Sequence, residues 1–272
     1  MNAVFLRFAA PLQSWATSRV TGNIVRTERS PSRSGVVGLL AASLGAPRDE
    51  WPEWLADLKV EVRSEWTGEF VDEFQTINPR DEDLEYQQRT YPLLTGKRWI
   101  KSTHFTPDAE GGTSIVRRTY LANAEFIVAL SSSSHFDELV TAIRAPKFTT
   151  YLGRKAFAPV FPFYLGVGDL SLLNSLPTLQ RAGVPVPYNT EAVQFAGQEN
   201  LEEPTKNYKE LRIDSYAPEK LSTGGSPLGT GAASVPSQVI RSQGVSQTWR
   251  TVSVPEVSRK EWINDVSESH AR

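Results

Sequence analysis

Across 272 residues the chain is 39% hydrophobic and 10% aromatic, carries a net charge of −2 and contains no cysteine. That leaves ample material for a core and excludes a disulfide scaffold, thiolate chemistry and a uniformly basic nucleic-acid coat. No apolar run approaches the roughly 18 residues needed to cross a membrane, so the expectation is a soluble, cytoplasmic chain with no membrane partner.

The overall charge conceals strong blocks. Residues 1–48 hold six arginines against Glu28, residues 49–85 hold thirteen acids against three bases, and residues 86–118 hold six bases against two acids. Residues 141–158 hold four bases and no acid. Such segregation points to a polyanion on one surface and to solvent or a protein partner on another. Glu53, Asp57, Glu69 and Asp72 of the acidic block are expected on the second.

In chain order, MNAVFLRFAAPLQSW opens with an apolar stretch interrupted by Arg7 and without a cationic leader, so it reads as a strand. Val4, Leu6 and Phe8 fall on one face and Phe5 and Arg7 on the other, predicting one face for helices and one left open. Pro31–Gly45 reads as a helix: Val36, Leu40 and Leu44 recur at fourfold spacing, flanked by Val37 and Ala41. Ser32 or Ser34 can cap it, and Gly45 and Pro47 end it. Arg26, Arg29 and Arg33 stand beside that N-terminus, where free N–H groups suit a phosphate. The same residues also fit an ordinary sheet-packed helix with solvated arginines. Trp51 and Trp54 are expected to cover the core edge.

LKVEVRSEW alternates, with Leu58, Val60 and Val62 inward and Lys59, Glu61, Arg63 and Glu65 outward, which predicts a second strand. EFIVAL (125–130) is a third. Phe136, Leu139, Val140 and Ile143 give a helix capped by Ser134 and stopped by Pro146. FAPVFPFYLG (157–166) reads as a last strand, at an edge because of its prolines. The order β-α-β-β-α-β predicts an α+β, ferredoxin-like domain over 1–170. A smaller β-rich region follows over 171–272, with a flexible linker near 221–238.

A connection of 67–118 between the second and third strands is too long for a plain hairpin. Its second half interleaves Arg89, Lys97, Arg98, Lys101, Arg117 and Arg118 with Tyr86, Tyr91, Trp99, Phe105 and Tyr120. Cations that track phosphates among rings that stack on bases suit single-stranded nucleic acid. A disordered arm, or one packed on a protein partner, is the other reading. TTYLGRKAFAP (149–159) repeats the chemistry, with Lys147, Arg154 and Lys155 about Gly153, a glycine that permits close approach to a phosphate.

Three histidines, His104, His135 and His270, stand without metal-ligand spacing, and there is no HExxH, GxSxG or Walker loop. No cofactor and no catalytic or metal residue is expected.

Three stretches, PSRSGVVGLLAASLG (31–45), VFLRFAAPLQSWA (4–16) and TTYLGRKAFAP (149–159), together resemble the Cas-five (CasD) family of RAMP proteins, most closely subtype I-E. The resemblance covers roughly residues 1–170. It implies a subunit of Cascade, the RNA-guided CRISPR surveillance complex, that holds the 5′ handle of the guide crRNA. It further implies that the subunit caps the backbone filament and lays a thumb, here about 78–118, across the RNA. Partners would be the backbone and large Cascade subunits and, through guide pairing, target DNA. The RNA contacts so implied, together with those read from composition, are Arg26, Arg29, Ser32, Arg33, Ser34, Lys97, Arg98, Lys101, His104, Arg117, Arg118, Lys147, Arg154 and Lys155. A member in subtype I-C cleaves the precursor RNA, so a metal-independent endoribonuclease using Lys97, Lys101 and His104 is the alternative. An RNA-recognition module acting alone fits less well with the acidic surface and exposed arm.

Overall fold

The structure, a computed structural model, describes residues 1–15, 24–48, 50–77, 89–96, 114–179, 208–218, 234–235 and 245–257. Its centre is β1 (Asn2–Ala9), whose Val4, Leu6 and Phe8 are fully buried. One edge of β1 pairs antiparallel with β8 (Glu125–Ser131), bringing Val4 opposite Leu130 and Phe8 opposite Phe126. The other edge pairs with β9 (Tyr164–Asp169). β8 in turn pairs with β5 (Lys59–Trp66), so four antiparallel strands run in the order β5-β8-β1-β9.

Two helices cover one face. α1 (Arg33–Leu44) begins at Ser32, whose hydroxyl accepts the Gly35 N–H at 3.3 Å. It closes on Gly45, left-handed at φ 74°, with Ala46 N–H donating to Ala41 O at 2.9 Å and Gly45 N–H to Ala42 O at 3.0 Å. These paired bonds satisfy the last free carbonyls of the helix. Val36, Val37 and Leu40 of α1 meet Leu139 and Ile143 of the last helix, α3 (Phe136–Arg144), over Val4, Leu6, Val60, Val62 and Val128. A short helix, α2, occupies 89–95.

Three sequence expectations change here. Ser134 does not cap α3: the helix starts from His135 with no side-chain cap, and the Ser134 hydroxyl meets His135 Nδ1 at 2.8 Å. The His135 ring is taken up by Trp54, stacked 5.1 Å away, while Trp51 is buried, as expected of residues covering the core edge. The strand expected over 157–166 forms instead at Tyr164–Asp169, because Pro159 and Pro162 have no N–H to give to a ladder. Phe157–Phe163 is therefore tied to β1 by isolated bonds and not a ladder: Val160 N–H to Ala9 O at 2.8 Å, Arg7 N–H to Phe163 O at 2.7 Å and Arg7 Nη1 to Phe161 O at 3.3 Å.

The third change is larger. The face expected to stay open is covered. Phe5, Ile127 and Ala129 are buried beneath Leu173, Leu165 and Ile213. Glu61, Arg63 and Glu65, expected outward, are buried too. Arg63 Nη1 donates to the carbonyls of Leu173 (2.9 Å) and Leu176 (2.7 Å), which end a 3₁₀ turn at Leu170–Asn174, and its Nε donates to Glu65 at 2.5 Å. Arg250 Nη2 reaches Glu61 at 2.8 Å. Charges buried this way persist because each has a partner.

Late strands extend the same sheet. β11 (Tyr208–Pro218) pairs with β5, and β13 (Val245–Val257) pairs with the whole of β11 through its residues Val245 to Pro255. β10 (Thr178–Leu179) joins β13 in parallel, giving the order β10-β13-β11-β5-β8-β1-β9. β10, β11 and β13 are thus continuous with the sheet of 1–170. Of the stretch 221–238, Ser234 and Val235 (β12) pair with Trp51 and Pro52 (β4), and the rest lies outside the described residues.

The long connection begins and ends as a ribbon. β6 (Glu69–Ile77) pairs antiparallel with β7 (Ser114–Ala122), from Glu69 opposite Ala122 to Ile77 opposite Ser114. β2 (Leu12–Gln13) and β3 (Ile24–Val25) also pair with β7 and root the ribbon in the opening segment.

Candidate nucleic-acid interface

Register gives the β6–β7 ribbon two faces of different chemistry, because partners directly opposite share a face. The first carries Phe70 and Phe74, 44% and 57% exposed. Arg29, arriving from the segment before α1, places its guanidinium over Phe70, 4.5 Å from the ring centroid. Arg117, directly opposite Phe74, lies 5.8 Å over that ring. Each cation keeps an exposed ring beside it, the pairing that grips a phosphate while offering a surface for stacking.

The second face carries Glu73 and Tyr120 and meets the loop that follows α3. The Tyr120 hydroxyl donates to the Glu73 carboxylate and accepts from Arg154 Nη1. Arg154 Nη1 is itself 3.8 Å from Glu73, and Gln75 Nε2 donates to Glu73 at 2.7 Å. Burial, and then the bond to Glu73, push the Tyr120 phenol above its ordinary pKa. Phe157 packs edge-on to Tyr120 at 5.1 Å. Between this face and the loop opens a cleft of about 670 Å³ lined by Tyr151, Arg154 and Lys155 on one side and Glu73, Gln75 and Tyr120 on the other. The expectation that the acidic block stays apart from the cations fails at Glu73, which β6 carries to Arg154. Asp57, Glu69 and Asp72 are exposed and Glu53 is half-buried, with Asp72 between Phe70 and Phe74 on the first face of the ribbon.

At the start of α1, Arg26, Arg29 and Ser34 are exposed and Ser32 is half-buried. Arg33 is not available there. It is 5% exposed, and its Nη2 donates to the carbonyls of Ala56 (2.6 Å), Leu55 (3.2 Å) and Leu58 (3.2 Å). These carbonyls belong to a 3₁₀ turn at Glu53–Asp57 and the residue after it, so Arg33 braces this turn against the helix start. Burial lowers its pKa, with Asp57 opposing. The expected phosphate contact at Arg33 is therefore corrected to a structural one.

Gly153 is also reassigned. Its φ is +88°, and a Cβ there would stand 1.7 Å from Ser14 O. The close approach it permits is to the chain's own backbone, where Ser14 N–H donates to Leu152 O at 3.1 Å. Lys147 and Lys155 are exposed, and Arg118 is half-buried on the second face. Lys97, Arg98, Lys101 and His104 lie outside the described residues.

The sequence reading missed Phe70, Phe74, Glu73 and the Tyr120–Arg154 pairing. The alternation of EFVDEF was the available signal, hidden by its acids. Among the described residues no group of three His, Cys, Asp or Glu could hold a metal, and no helix is long and apolar enough to cross a membrane.

A sheet with two helices on one face and a ribbon studded with cation–ring pairs is an arrangement whose chemistry suits a nucleic-acid strand. Comparison gives the family. Residues 3–208 match the family model described as CRISPR-associated protein (Cas_Cas5), and the chain belongs to that family, as the resemblance in its motifs implied. The CRISPR system Cascade subunit CasD of Escherichia coli (strain K12) is 31% identical over 175 residues, spanning 62% of this chain and 72% of that protein. Among solved structures, a chain of a "CRISPR RNA-guided surveillance complex" has a TM-score of 0.61 at 24% identity, over 99% of this chain and 100% of that one. A "Crystal structure of Cas protein" has a TM-score of 0.52 at 24% identity, over 93% and 95%. At such identities these two structures speak for the fold.

Proposed function

We propose that this chain is a non-catalytic RNA-binding subunit of a type I-E Cascade complex in the cytoplasm. It holds the 5′ handle of the guide crRNA and caps the backbone filament. The observation that carries this is the meeting, on one ribbon, of cations from segments far apart in sequence: Arg29, Arg117 and Arg154. Nothing in local sequence brings them together, and an RNA strand passing along both faces of the ribbon accounts for the rings beside them. The order β5-β8-β1-β9 under α1 and α3 supports a ferredoxin-like reading. On it, β6 and β7 are the root of the thumb and the connection 78–113 its body. The backbone and large subunits are the protein partners, and target DNA is engaged through guide pairing.

Two measurements test this. Purified chain mixed with repeat-containing RNA in the absence of metal should leave the RNA intact; a discrete cut product would replace this reading with the endoribonuclease. In filter binding, Arg29→Ala should weaken guide-RNA retention and flatten the dependence of log K on log [salt] by about one unit, because one phosphate contact is lost. Lys59→Ala, on the far side of the sheet beside Glu61, should change neither.

A further inference from the structure

Beyond residue 208, where the family match ends, β11 and β13 carry a surface that nothing above uses. Trp249 stands opposite Asp214 in the strand register, and is 64% exposed. The Arg212 guanidinium lies over the indole, 5.2 Å from the ring centroid. Asp214 fixes it there: Arg212 Nη2 donates to Oδ1 at 2.7 Å and Nε to the same oxygen at 3.1 Å. Asp214 is itself only 3% exposed and accepts a further bond from Gln247 Nε2 at 3.4 Å. A surface arginine and tryptophan are ordinarily free to rotate. Here a buried carboxylate already holds the guanidinium over the ring, so a ligand stacking there loses less side-chain entropy.

The surroundings indicate the ligand. Tyr216, two residues beyond Asp214 on the same face, lies beside Ser30 and Glu28, within the segment that leads into α1. The strip from Trp249 through Gln247 and Tyr216 thus runs to Glu28 and Ser30, on either side of Arg29 in the segment that leads into α1. Because Asp214 cancels the charge of Arg212, the strip has little to offer a polyanion by charge alone. What it offers is a flat ring and a fixed guanidinium plane, to which every nucleobase can present a π-face.

We infer that the Trp249–Arg212 pair is a stacking platform for one unpaired nucleobase of the guide strand, a short step along from the phosphate held at the start of α1. The inference rests on the RNA-binding reading above and extends it to strands outside the family match. Stacking, not charge, carries the contact, and that separates it from Arg29.

The test uses the full chain and a repeat-containing guide RNA, titrated at several salt concentrations. Trp249→Ala should weaken binding about tenfold, in line with loss of one base–aromatic stack, and leave the salt slope unchanged. Trp249→Phe should restore most of the affinity while removing the share of the RNA-induced tryptophan quenching that comes from Trp249, one of seven tryptophans in the chain. Wild-type affinity in Trp249→Ala would overturn the inference alone. So would normal RNA binding by Trp249→Ala combined with failure to join the other subunits, which would make the surface a protein interface. A wild-type chain that retains no guide RNA, free or assembled, would overturn the RNA-binding reading and this inference together.

Discussion

Arg33→Ala will destabilise the protein by about 3 kcal/mol, lowering the melting temperature by roughly 10 °C, while the folded fraction keeps its RNA. The guanidinium is sealed beneath the turn at Glu53–Asp57 and supplies donors to three carbonyls there. Truncation to alanine strips those acceptors of their partner and leaves a cavity at the junction of α1 and the turn, two costs that add. Arg33→Lys should recover only part of the loss, since an ammonium on a thinner stem fills less of the space and cannot hold the same fan of bonds. Thermal unfolding followed by circular dichroism, with RNA retention measured below the transition, is the check. An unchanged melting temperature together with lost RNA would return Arg33 to the phosphate site.

Gly153→Ala should be comparably severe and should touch both stability and RNA. At φ +88° an alanine is strained, and its methyl would occupy the position of the Ser14 carbonyl oxygen. The loop must therefore lift, breaking the Ser14–Leu152 bond and exposing Leu152, now fully buried. A loss of about 2–4 kcal/mol follows from strain, the bond and the apolar burial together. The lifted loop also takes Arg154 away from Tyr120 and Glu73, so guide affinity falls along with the melting temperature. Lys155→Ala, at an exposed position on the same loop, should lower affinity only. If Gly153→Ala melted normally, the seating of this loop on Ser14 would be wrong.

Both substitutions fall within motifs that the sequence made conspicuous, yet their roles differ from the ones expected there. PSRSGVVGLLAASLG announces a helix start, and Ser32, Val36, Leu40 and Gly45 do what their spacing says. Arg33 reads from sequence like Arg29. What separates them is the turn twenty residues later, which folds over one and leaves the other beside Phe70. The glycine of YLGRK likewise marks a close approach, but sequence names no partner for it.

The sequence by itself determined what is local. The alternation of β1 and β5, the EFIVAL strand, the apolar face of α3 and the Gly45 close are each written within a few residues, because helix and strand periodicity need only near neighbours. The cation-and-ring composition of the arm and the basic loop was legible for the same reason. Tertiary structure alone decided the rest. Glu61 and Arg63 look like a solvated strand face until Arg250, Leu173 and Leu176 arrive from more than a hundred residues away. EFVDEFQTI looks like an acidic surface until β7 pairs with it and sets Phe74 against Arg117 and Glu73 near Arg154. A charged side chain's environment is fixed by whichever distant segment covers it, and no periodicity records that choice.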